Sequence, residues 1–248
     1  MFCDLPLFTG GYTPYLSLGH QIITPKSNQR GIQFTTPHET FFPNLDNVCY
    51  KKSSLISTFK SKKSRFSTFE HILATLYAKG LHNCEVSFSR NSPIQYKTRE
   101  KQLCERINSR HLGQEFIFQE SFMLPQKQWR QGDKTLISAP NSEEALNITV
   151  DSNYNGITSR YVFSPEKDDY ESIASSRAYS RCSIFNKLGY ISDISSQESV
   201  DELTKHAVVD ILGAIALLAN TKKAKVVGNF YCYLAGHRDH LNFLSSFK

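Results

Sequence analysis

No apolar run in this chain approaches the roughly 18–20 residues that a membrane-spanning helix needs. The longest, near 211–219, belongs to a helical pattern. The opening Met1-Phe2-Cys3-Asp4-Leu5-Pro6 lacks the basic start and long apolar stretch of a secretory signal. The chain is therefore expected to stay in the compartment where it is made. Its leaning toward Lys, Ser, Asn, Ile, Phe and Tyr suits an AT-rich bacterial or organellar genome, which leaves cytoplasm and plastid stroma both open. The six cysteines, at 3, 49, 84, 104, 182 and 232, form no Cys-x-x-Cys pair. That argues against a thiolate metal site or a disulfide framework and fits a reducing interior. No nucleic-acid-binding motif surrounds the densest basic stretch, Lys51, Lys52, Lys60, Lys62, Lys63 and Arg65. With a net charge of +6, this stretch reads as a solvated loop, and no nucleic acid is expected as a partner. The same field favours a diphosphate-bearing substrate or peripheral contact with an anionic membrane surface.

What is there is an ordinary globular composition. The 248 residues, 40% hydrophobic and 21% charged, suffice for one large domain or two small ones. Short strands are expected over 19–34 with a turn at 25–29, then an irregular Asn- and Ser-rich section up to 64. A helix over 69–79 ends at Gly80, a natural C-cap. A strand covers 84–88 and a helix 98–107, and polar 108–114 is the linker candidate. Strands near 116–122, 135–138 and 146–150 follow, then a helix over 170–188. A Ser199-x-x-Glu202 capping box opens the next helix, followed by a strand to 233 and a short closing helix at 240–243. Strands followed by helix occur twice, which predicts an α+β chain of two similar halves, 1–112 and 113–248.

Within the long helical pattern, Thr204-Lys205-His206-Ala207-Val208-Val209-Asp210-Ile211-Leu212-Gly213 sets an imidazole and a carboxylate four residues apart. That spacing puts them on one helix face. A borderline-soft divalent cation such as zinc accepts this mixture of nitrogen and oxygen. The plainer reading is a helix-surface pair worth about 0.2–0.5 kcal/mol. In Ser67-Thr68-Phe69-Glu70-His71-Ile72-Leu73, an adjacent Glu and His open another helical run. Here the plainer reading makes Ser67-x-x-Glu70 a capping box. A third element, the strand through Tyr233, breaks at Ala235-Gly236 and presents His237, otherwise a common loop residue.

Taken together and in this order, Ser-Thr-Phe-Glu-His, Lys-His-x-x-x-Asp-x-x-Gly and Tyr-x-Ala-Gly-His resemble the LpxC family, the zinc-dependent UDP-3-O-acyl-N-acetylglucosamine deacetylases of lipid A synthesis. Gly80-Leu81-His82-Asn83, Arg30-Gly31-Ile32-Gln33-Phe34 and Ser176-Arg177-Ala178-Tyr179 extend the likeness. The resemblance implies two small α+β domains, each a sheet with two helices, the helices packed between two outer sheets. The first would carry Glu70 and His71, and the second His206, Asp210 and His237. It further implies one zinc per chain, held at the junction by His71, His206 and Asp210 with a position open for water. Glu70 would be the general base. His237 would stabilise the oxyanion and protonate the leaving amine. Arg177 and Tyr179 would contact the UDP-3-O-acyl-N-acetylglucosamine substrate, and the protein would be a monomer.

The departures from the family pattern concern the groups around the metal. Ala178 stands where the family has a Thr whose hydroxyl aids the oxyanion, and Ala214 where an Asp orients the late histidine. Ala207 and Leu234 replace lysines. Gln95-Tyr96-Lys97-Thr98 replaces a Met-Asp-Gly-Ser segment, and Tyr12-Thr13-Pro14-Tyr15 an early Gly-Leu-His-Ser-Gly. The stretch between 188 and 200 is too short for the inserted element that holds an acyl chain. A slow deacetylase is therefore expected. The alternatives are a zinc-binding relative without significant turnover, acting as a binding or regulatory module, and an unrelated basic protein whose motifs coincide by chance.

Overall fold

The computed structural model describes residues 16–18, 21–26, 30–49, 58–60, 65–67, 69–88, 98–109, 116–179, 191 and 193–248. The opening 1–6, the replaced segments at 12–15 and 95–97, most of the linker candidate and the basic side chains of 51–65 lie outside the described residues.

The first half runs β1 (Leu16–Leu18), β2 (Gln21–Pro25), β3 (Ile32–Thr35), β4 (Thr40–Phe41), β5 (Val48–Cys49), β6 (Thr58–Lys60), β7 (Arg65–Ser67), α1 (Glu70–Ala78), β8 (Cys84–Phe88) and α2 (Thr98–Ser109). The second runs β9 (Ser121–Met123), β10 (Lys127–Gln131), β11 (Lys134–Ala139), β12 (Leu146–Tyr154), β13 (Ile157–Phe163), α3 (Glu171–Ala174), α4 (Gln197–Lys222), β14 (Lys225–Tyr233) and α5 (His237–Ser245). One sheet has the order β1-β2-β8-β3-β4, and β8 enters between β2 and β3, antiparallel to the first and parallel to the second. The other has the order β10-β11-β14-β12-β13, with β9 paired to the start of β14. A small antiparallel sheet of β5, β6 and β7 begins within the section expected to be irregular. Strands of two or three residues are too short to show a period of two.

Helices α1 and α4 pack against each other, and α4 also lies on β12, β13 and β14. One hydrophobic cluster joins Ile23, Phe34 and Val86 of the first sheet to Leu73 and Leu76 of α1, Leu212 and Ile215 of α4, and Ile148 and Phe230 of the second sheet. The fold is thus α+β, with helices between two sheets. From Val208 to Asn220 every residue of α4 is buried, as expected of a helix covered on all sides. Even so, no helix among the described residues is long and apolar enough to cross a membrane.

The two halves are joined by polar contacts as well as packing. The buried Asn220 side chain accepts from Ile32 N–H (2.8 Å) and donates to the carbonyls of Ile32 (2.9 Å) and Pro43 (2.8 Å). The Tyr77 hydroxyl donates to Val226 C=O (3.1 Å) and accepts from its N–H (2.9 Å). Leaving any of these main-chain groups without its partner would cost about 1–3 kcal/mol.

Several expected boundaries are displaced. Helix α1 closes at Gly80 as expected: at φ 72, Gly80 N–H bonds Tyr77 C=O (3.0 Å) and Leu81 N–H bonds Leu76 C=O (2.8 Å), a Schellman closure. The helix expected over 170–188 is only Glu171–Ala174 among the described residues, and by Tyr179 the chain makes a parallel bridge to Ile191. Both the N–H (3.0 Å) and the hydroxyl (2.7 Å) of Ser176 bond Ile173 C=O, so a side chain competes with the helical ladder there. Helix α4 begins one turn earlier than expected, capped by Ser196, whose hydroxyl accepts from Ser199 N–H (3.2 Å). Ser199 and Glu202 therefore form no capping box. Strand β13 is an addition to the expected strands: Asn155 and Gly156, both at positive φ (54 and 85), close a two-residue hairpin of the type this pair favours. Helix α5 starts at His237, so His237 is a helix-terminal residue.

His82 is buried between α1 and β8. Its Nδ1 accepts from Phe118 N–H (3.2 Å), so its Nε2 carries the proton facing Tyr77 C=O at 3.2 Å. The ring stacks on Tyr77 and Phe118. Burial pushes this imidazole down to about 4, against a raising contribution from the Tyr77 carbonyl. An unfolded histidine titrates near 6.5, so between about 6.5 and 4 the unfolded chain binds the extra proton. Stability from this group is complete above about pH 6.5 and is lost as pH falls toward 4, to an extent of about 3 kcal/mol. The check is denaturant unfolding at several pH values: His82→Gln should be flatter than wild type between pH 6.5 and 4. Parallel profiles would remove His82 from the acid transition.

Candidate metal centre

His206 and Asp210 sit on α4 and His71 on the first turn of α1. One ligand atom from each lies within 4.8 Å of the others. Asp210 Oδ1 is 3.5 Å from His206 Nε2 and 3.9 Å from His71 Nε2. Tetrahedral zinc with bonds near 2.0–2.1 Å needs donors about 3.4 Å apart, so a small inward movement meets the requirement.

The donor chemistry points the same way. His206 Nδ1 faces the Ser176 carbonyl at 3.0 Å. A carbonyl only accepts, so Nδ1 carries the hydrogen and a neutral ring turns the Nε2 lone pair toward Asp210. Asp210 Oδ1 is buried and makes no hydrogen bond among the described residues. A lone pair and a carboxylate oxygen thus face each other in a buried space, an arrangement that calls for a cation or a proton between them. Burial, reinforced by Glu70 and opposed by His71, pushes the Asp210 carboxyl well above the usual carboxylate range. The residues fit a divalent cation, which would replace that proton.

Glu70 is the first residue of α1 and buried, with Phe69 in the capping position. It is therefore not the third residue of a box opened by Ser67. His237 Nε2 lies 3.1 Å from Asp210 Oδ2, so one carboxylate turns Oδ1 toward two imidazoles and Oδ2 toward a third. Burial, with His240 and His71 adding to it, pushes the His237 ring down to about 3. The pair His237 Nε2 and Asp210 Oδ2 stands within hydrogen-bond distance. Ala214, one turn beyond Asp210, lines a small cavity with Phe69, Leu217, His237 and Leu241. Arg177 is drawn onto Glu202, Nε to Oε1 and Nη2 to Oε2, both at 2.6 Å. Tyr179 is half-buried beside it in the chain.

Four of the groups now near the centre have no part in the metal site expected from the sequence. Ser176 acts through its carbonyl and Glu202 through Arg177. Tyr154 ends β12, and burial, with Cys232 and Asp210 adding to it, raises its phenol. Gly213 had a readable signal, a glycine inside a helix at a cost of about 1 kcal/mol relative to Ala. A Cβ there would meet Glu70 O at 2.5 Å, Glu70 Cβ at 2.8 Å and Glu70 Cα at 2.9 Å. The start of α1 thus rests on the bare backbone of α4, three residues beyond Asp210.

The family model for LpxC, UDP-3-O-acyl N-acetylglycosamine deacetylase, matches residues 19–197. That span is more than half of the chain and holds Glu70, His71, Arg177 and Tyr179. His206, Asp210 and His237 follow it and meet Glu70 and His71 in space. No curated protein matches the chain.

Gly213→Ala pits the gain of about 1 kcal/mol in helix propensity against overpacking that typically costs about 1–3 kcal/mol. The atoms it would strike are mainly main chain, so overpacking should win. Unfolding should show net destabilisation, and the moved α1 should weaken divalent-cation binding as measured by chelator competition. Wild-type affinity in a folded Gly213→Ala protein would show that the close crossing does not set the ligand geometry.

Proposed function

From the premise that the chain belongs to the LpxC family, we propose that it hydrolyses the N-acetyl group of UDP-3-O-acyl-N-acetylglucosamine, with one zinc held by His71, His206 and Asp210. The observation that carries this reading is the convergence of those three side chains around a buried carboxylate oxygen that makes no hydrogen bond among the described residues. Zinc bound there supplies Lewis acidity toward a water and the amide oxygen. Glu70, buried next to a ligand, takes the proton of the attacking water as general base. His237, within hydrogen-bond distance of Asp210, would act in its protonated form, giving its proton to the leaving nitrogen and ending neutral. Tyr179 contacts substrate, while the Arg177 side chain is engaged by Glu202 and serves the centre differently. The halves 1–112 and 113–248 are the two domains, with the site at their junction.

Two observations favour a slow enzyme or, at the limit, a zinc-binding relative without turnover. Ala178 offers no hydroxyl to the oxyanion, and Ala214 leaves Asp210 to hold both metal and His237.

Metal analysis beside an assay on the UDP-sugar tests the reading. Wild type should hold one zinc, and His71→Ala and His206→Ala none after dialysis against a weak chelator. Glu70→Gln should keep zinc but lose about 10²–10⁴-fold in turnover. A full equivalent of zinc in either histidine variant sinks the ligand assignment, and an unchanged rate in Glu70→Gln removes the base.

The cavity beside Ala214 gives a second test. Ala214→Asp directs a carboxylate toward His237 and should raise turnover roughly 10-fold or more, the usual effect of a partner that orients a ligand. Ala178→Thr should add its own gain. Steady-state kinetics showing ordinary wild-type turnover with both changes neutral would mean that other residues already fill these roles.

A further inference from the structure

We propose that Arg177 and Glu202 are positioning residues. Together they clamp a single peptide group, and that group holds the His206 ring in the tautomer a metal ligand needs. The assignment rests on the metal-centre reading above.

The peptide joining Ser176 to Arg177 is engaged at both ends. Its carbonyl faces His206 Nδ1 at 3.0 Å, and its N–H donates to Glu202 Oε1 at 2.9 Å. Because the peptide is planar, it cannot turn its oxygen from His206 without also pulling its N–H from Glu202. Glu202 and His206 are one turn apart on α4, so both ends of the amide are referred to the same rigid helix. The Arg177 guanidinium returns to the same carboxylate through two 2.6 Å bonds. Residue 177 thus places three donors on one side chain, in the fork geometry that fixes orientation as well as distance. A carboxylate at the N–H end also polarises the amide and makes its carbonyl a better acceptor for His206.

The segment is tied on both flanks. Ser176 bonds back to Ile173 through its N–H and hydroxyl, and the Ala178 carbonyl accepts from Ile191 N–H at 2.9 Å. The Arg177 side chain is about half exposed, at 46%. An ion pair in that setting adds little to global stability. Its effect should therefore fall on the ring orientation and tautomer of His206, and outer partners of ligating histidines typically change metal affinity by roughly 10–100-fold.

The test uses the full chain and two readouts. Zinc affinity is measured by chelator competition on wild type, Glu202→Ala, Glu202→Gln and Arg177→Ala, with thermal unfolding of each metal-free protein alongside. Glu202→Ala should weaken zinc by roughly 10–100-fold at a nearly unchanged unfolding midpoint. Glu202→Gln keeps an acceptor for the Arg177 N–H and should lose less. Arg177→Ala keeps its N–H and should also lose less. Separately, long-range proton–nitrogen NMR of the metal-free imidazoles, with His206 identified from His206→Gln, reads the tautomer directly. Wild type should show Nδ1–H, and Glu202→Ala a mixture.

Wild-type zinc affinity with an unchanged tautomer in Glu202→Ala overturns the proposal, as does a loss of zinc that merely tracks a loss of stability. If Glu202→Ala does not fold, wild-type affinity and tautomer in both Glu202→Gln and Arg177→Ala overturn it equally. A wild-type protein that binds no zinc refutes the metal-centre reading, and the tautomer measurement then decides the clamp by itself.

Discussion

The close crossing of α1 over α4 at Gly213 is the constraint on which the rest depends. Without a Cβ at that position, the Glu70 backbone comes within van der Waals contact of the α4 main chain. The first turn of one helix is thereby brought beside the middle of the other. His71 comes from α1, whereas His206 and Asp210 come from α4, so the three converge only where the helices touch. Any side chain at 213 acts through the distance between these helices. The polar joins at Asn220 and Tyr77 hold the same two halves together farther along.

Asp210 carries the electrostatic burden of this arrangement. Its two oxygens are divided between the pair His71 and His206 on one side and His237 on the other. Burial of that carboxylate is unfavourable unless something positive shares the space. A bound cation would relieve the repulsion between facing acceptors, so part of the binding free energy would appear as stability of the fold. The cost of the arrangement is that, with a cation bound, one group would have to serve cation and histidine together. Where a second carboxylate would separate those duties, Ala214 leaves a cavity.

The outer support of the centre comes from an unexpected source. Among the described residues the chain leaves the helical ladder after Ala174, with the Ser176 carbonyl facing His206 and the Arg177 fork on Glu202. Had 170–188 been helical, that carbonyl would have bonded within its own helix. The broken helix therefore gives His206 its partner.

Much of this was legible in the sequence because it is local. The His206–Asp210 spacing fixes a shared helix face by the 3.6-residue period alone, Gly80 marks its helix end through its tolerance of positive φ, and the alternation at 84–88 marks a strand. The three motifs in order carried the family. What the sequence could not fix depended on partners far along the chain. Strand β8 entered between β2 and β3, Ser196 displaced Ser199 as the cap of α4, and Arg177 found a carboxylate 25 residues away. Local periodicity determines which face of an element carries which side chains, because covalent geometry sets it. Only tertiary packing decides which faces meet, since burial, close approach and the pairing of buried polar groups are settled between elements rather than within them.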